Sequence, residues 1–83
     1  MESTRFCTFL VYGTAARMAM DDVLSGRSYE AKHRGNEIYY DVWLKASQLN
    51  ATLNVLDTYE DLRVIKHTMH KYTFFVEHKE VTE

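Results

Sequence analysis

Arg5–Tyr12 (RFCTFLVY) constrains the fold more than any other stretch of the chain. It is rich in aromatic and β-branched residues, is apolar on both alternating faces, and ends at Gly13. Such a run reads as a strand in the middle of a sheet, covered on both sides. The rest of the chain has to supply its neighbours and the layer above it.

The pattern supplies both. Thr14 is placed to cap a helix over Ala15–Leu24, with Ala16, Met20, Val23 and Leu24 on one face. Gly26 is placed to end that helix in the left-handed conformation. Ser28–His33 alternates Tyr29, Ala31 and His33 with Ser28, Glu30 and Lys32, as a strand wetted on one face does. Arg34-Gly35-Asn36 reads as a hairpin turn into a second strongly apolar strand, Ile38–Leu44 (IYYDVWL). Ser47 is placed to cap a second helix that turns Leu49, Leu53 and Leu56 inward. Lys71–His78 (KYTFFVEH) closes the chain as a strand.

One segment admits two readings. Arg63–His70 alternates as a strand, yet Leu62, Ile65 and Met69 also share a helical face, which would give an extra helix over 58–70. Strands seldom exceed about ten residues, so a helix, bulge or turn must interrupt any strand running from Arg63 to His78. A strand beginning near Arg63 is the preferred reading. The order is then βαββαβ, an α+β domain of the ferredoxin-like plait type with a four-stranded antiparallel sheet and two helices on one face. In that topology the first and third strands are central, and here they are the most apolar. Lysine and arginine gather on the second and fourth, where charge discourages edge-to-edge pairing. With 83 residues, 46% of them hydrophobic and 27% charged, the chain is expected to form a single domain, residues 1–83.

Few reactions fit these residues. The lone Cys7 cannot form an internal disulfide, and its place in an apolar run suits a buried thiol. His67 and His70 would share a face only on a helix, while His33 and His78 fall on separate strands, so no metal site is expected. There is no nucleophile elbow, phosphate loop or dinucleotide fingerprint, and no cofactor is expected. The formal net charge of −2 and the pI near 6.1 disfavour nucleic-acid binding through bulk positive charge. No window is long and apolar enough for a membrane span, and Phe6–Tyr12 is too short for a signal segment; a soluble cytoplasmic protein is expected.

The functional expectation is geometric. If Ile38, Tyr40, Val42 and Leu44 face the helices, then Tyr39, Asp41 and Trp43 lie on the open side of the sheet. Phe6, Thr8, Leu10 and Tyr12 are the preferred first-strand residues to join them. An exposed face of this kind exceeds the scattered apolar exposure of a monomer. Tyr12, Tyr39 and Trp43, with Arg63, Lys66 and Lys71, form the expected partner-binding set. The leading expectation is a non-enzymatic interaction module, an adaptor or small stoichiometric inhibitor of a kind common in phages and mobile elements, binding a protein partner there. A second copy could cover the same face as a homodimer. The alternative is a single-stranded RNA- or DNA-binding module that stacks bases on the rings. The third reading is a small enzyme with its site across a dimer.

Overall fold

The computed structural model describes residues 3–79. The chain runs β1 (Thr4–Tyr12), α1 (Thr14–Val23), β2 (Tyr29–Arg34), β3 (Glu37–Lys45), α2 (Ala46–Asp57), β4 (Leu62–Lys66) and β5 (Thr73–His78). The sheet order is β2-β3-β1-β5-β4.

The apolar run Arg5–Tyr12 does become the centre. β1 pairs antiparallel with β3 along its whole length, from Thr4 opposite Lys45 to Tyr12 opposite Glu37. β2 adds antiparallel to β3 through a turn at Gly35 and Asn36. Gly35 has φ of 63° and among the described residues no non-glycine residue has positive φ, so the glycine takes the left-handed step at the first turn position, as in a type II′ hairpin.

The other half corrects the four-stranded plait. Leu62–Lys66 and Thr73–His78 are two strands of an antiparallel hairpin, not one, and no helix forms over 58–70. β5 inserts beside β1 and runs parallel to it, with Phe9 level with Phe74 and Val11 with Val76. A plait would place an antiparallel edge strand there. The outer edge passes to β4, which carries Arg63 and Lys66, so the basic residues still fall on an edge.

The helix caps also differ from expectation. Thr14 is the first residue of α1, whose cap is Gly13 at φ 90°. α2 begins at Ala46, so Ser47 lies inside it, and Gln48 Oε1 accepts the Lys45 backbone N–H at 2.9 Å. Gly13 serves because a side chain at that φ would be strained, and the chain needs this step to pass from strand to helix in one residue.

Both helices cover one face. Beneath them lie Cys7, Phe9 and Val11 from β1, Ile38, Tyr40, Val42 and Leu44 from β3, and Phe74 and Val76 from β5. Ala16, Ala19 and Met20 of α1 and Leu49 and Leu56 of α2 close over them. Phe9 and Phe74 stack with ring centroids 5.5 Å apart, joining the two halves of the sheet at its centre.

Candidate site on the open sheet face

With the odd residues of β1 and the even residues of β3 turned to the helices, the opposite parity forms the open face, as the sequence pattern predicts. Cross-strand partners share a face, so the pairing registers order these side chains into rows. At one end Phe6 and Trp43 stand opposite each other with ring centroids 5.1 Å apart and planes tilted by 57°. They are 49% and 63% exposed. Beside them runs a polar row of Glu30, Asp41, Thr8 and Thr73, in which the Thr8 hydroxyl donates to Asp41 Oδ1 at 2.9 Å. Next comes an apolar row, Tyr39, Leu10, Phe75 and Ile65, crossing four strands with Lys32 at its β2 end. The far end is charged: Arg34 opposite Glu37, Glu37 opposite Tyr12, and Arg63 opposite Glu77.

Polar contacts fasten these rows. Lys32 Nζ lies 3.6 Å from Asp41 and 3.8 Å from Glu30, and Arg63 donates from Nε and Nη2 to one Glu77 oxygen at 3.1 and 2.6 Å. The Tyr12 phenol is held above its ordinary pKa, first by hydrogen bonding to Glu37 and then by burial.

Of the six expected partner-binding residues, the structure brings Tyr12, Tyr39, Trp43 and Arg63 onto this face. Lys66 departs from it. It pairs with Phe74, shares the inward parity of Leu62 and Val64, and lines a groove with Leu53, Asn54 and Asp57 on the helix side. Lys71 lies in the β4–β5 turn, with its ammonium 5.7 Å from the centre of the Tyr72 ring, which the Arg5 guanidinium also approaches at 5.5 Å. The residues the sequence reading left unassigned are Phe75 and Ile65, because their parity depends on where the β4–β5 turn falls.

His67 and His70 come together in that turn with ring centroids 4.7 Å apart, and His67 also stacks on Phe75. The His67 side chain braces the turn: its Nδ1 accepts the backbone N–H of both Met69 and His70, at 3.0 and 3.1 Å. Among the described residues no group of three histidine, cysteine or acidic side chains is arranged to hold a metal ion. Cys7 is buried and its thiol is pushed up by burial, which makes it a poor nucleophile. Among the described residues no helix is long and apolar enough to cross a membrane. Comparisons of the chain with protein families, with curated proteins and with solved structures give no match.

Proposed function

We propose that the chain is a non-enzymatic binding module, an adaptor or stoichiometric inhibitor, whose open sheet face receives a protein partner. The observation that carries this reading is the apolar row Tyr39–Leu10–Phe75–Ile65 beside the exposed Phe6–Trp43 pair, on a face that neither helix covers. Aromatic side chains flanked by charge are what a protein interface uses as anchors and rim.

The charge on this face favours a protein partner over nucleic acid. Lys32, Arg34, Lys45 and Arg63 on this face are balanced by Glu30, Glu37, Asp41 and Glu77, and Lys32 and Arg63 are already engaged in ion pairs with acids of the same face. A nucleic-acid platform needs surplus positive charge to replace counterions along the phosphates. A balanced, banded face instead suits a protein with its own alternating charges.

The test compares the wild-type chain with a Tyr39→Ala/Trp43→Ala variant as bait in its native host, with bound proteins identified by mass spectrometry. The variant should lose the partner while keeping a native circular dichroism spectrum. Undiminished capture would overturn the reading. A salt titration against a random single-stranded oligonucleotide should show no affinity that falls steeply with ionic strength.

A further inference from the structure

Away from the open face, the chain carries two features that fit each other. The first is a groove of about 710 Å³ along the outer side of α1, lined by Ala15, Met18, Ala19, Asp21, Asp22 and Tyr59 among others. Its volume falls within the range of concave sites that accept a bound group. Met18 is 68% exposed, so the groove has an uncovered apolar wall. One end is acidic, and the Asp21 carboxylate is fixed there by the Tyr40 hydroxyl, which donates to Oδ1 at 2.7 Å. Among the described residues neither Asp21 nor Asp22 forms an ion pair. The two helices bear Asp21, Asp22 and Asp57 against Arg17 alone, so their own net charge is negative.

The second feature is the β4–β5 turn. Met69 stands at it 83% exposed, the most exposed large apolar side chain among the described residues. The backbone beneath is braced: His67 Nδ1 accepts two N–H groups, the His67 N–H donates to the Thr73 carbonyl at 2.9 Å, and the Thr73 N–H donates to the His70 carbonyl at 3.2 Å. Because the backbone of the turn is already braced, docking has only the Met69 side chain left to order. Lys71 follows it and forms no ion pair among the described residues.

We propose that the β4–β5 turn of one copy docks into the α1 groove of a second copy, with Met69 against Met18 and Tyr59 and Lys71 beside Asp21 and Asp22. Apolar anchor meets apolar wall, and the unpaired cation meets the unpaired carboxylates. The contact is heterologous, since donor and acceptor are different surfaces. A single turn in a groove falls in the small-interface class of weak, reversible association. It is independent of the open face.

Sedimentation of the whole chain across micromolar to millimolar concentrations tests it. The wild type should associate as concentration rises. Met69→Asp, which lacks the donor, and Asp22→Lys, which lacks the acceptor, should each weaken association by about tenfold or more, equivalent to roughly 1.4 kcal/mol. Mixed in equal amounts, the two variants should form a one-to-one dimer, because one intact turn and one intact groove remain. Lys71→Glu should weaken association as Met69→Asp does, and Lys71→Glu combined with Asp22→Lys in one chain should restore it. Trp43→Ala should leave it unchanged, which separates this contact from the open face. A wild type that stays monomeric at millimolar concentration, or a mixture of variants that fails to pair, would overturn the proposal.

Discussion

The buried phenol of Tyr40 donates a 2.7 Å hydrogen bond to Oδ1 of Asp21, so β3, on its helix-covered face, is pinned to the last turn of α1. Burial first, and the Asp21 carboxylate second, push the phenol up to about 12. An unfolded tyrosine titrates near 10, so between those values the native state holds a proton that the unfolded chain has released. The stabilisation is complete below about pH 10 and is lost as pH rises towards 12. Urea midpoints should therefore fall across that window, and Tyr40→Phe should flatten the fall. An unchanged slope in Tyr40→Phe would assign the alkaline loss to other groups. At neutral pH the same substitution should cost about 1.5 kcal/mol, the scale of a hydrogen bond to a charged group.

Core and edge should respond very differently to truncation. Phe9 is fully buried and stacked on Phe74, so Phe9→Ala should cost about 3–5 kcal/mol. That is a large share of the roughly 5–15 kcal/mol that holds a small domain together. Arg63 is bound to Glu77 at 2.6 Å but is exposed, and Arg63→Ala should cost less than about 1 kcal/mol. Urea unfolding of the two variants gives both values, and comparable losses would mean the β4–β5 hairpin depends on its ion pair.

Cys7 provides a reporter of unfolding. The thiol is buried in the core and raised by that burial, so little thiolate exists and reagent cannot reach it. A disulfide reagent such as dithionitrobenzoate should label native protein orders of magnitude more slowly than urea-unfolded protein. Labelling at the free-thiol rate in the native state would show that β1 opens locally, far below the global unfolding energy.

How far the sequence carries this fold depends on the strand. In β3 the more apolar set Ile38, Tyr40, Val42 and Leu44 marks the buried side and leaves Tyr39, Asp41 and Trp43 open. β1 is apolar on both faces, and only the slightly more polar character of Phe6, Thr8, Leu10 and Tyr12 pointed to the open side they take. The hairpin at 62–78 was only half legible. Its strands show in the pattern, but the turn contains no glycine or proline, and His67 Nδ1 does the work of a turn residue by accepting two backbone donors. Without that turn the parity of Phe75 and Ile65 relative to β1 is undetermined. Arg63 and Lys66, by contrast, stand three apart on one strand and so take opposite faces, which puts Lys66 on the other side of the sheet. Nor does alternation say which neighbour a strand takes, so the parallel insertion of β5 beside β1 emerges only in three dimensions. The α1 groove was hidden for a related reason: Met18 reads as a residue off the buried face, and nothing local ties it to Tyr59, forty-one positions later in the chain.

Trp43, the single tryptophan, gives the most direct reading of the open face. At 63% exposed and leaning on Phe6, it should emit at long wavelength and be quenched strongly by acrylamide in the free protein. Trp43→Ala removes little buried surface, so its stability cost should stay within about 1 kcal/mol. Its binding cost should be larger, about 2 kcal/mol or more, if the ring anchors a partner, because such rings become fully desolvated at the centre of an interface. The two measurements separate a structural tryptophan from a functional one. Partner binding should also shorten the emission wavelength and cut acrylamide quenching severalfold. A bound complex in which Trp43 remains as quenchable as in the free chain would place the partner elsewhere on the molecule.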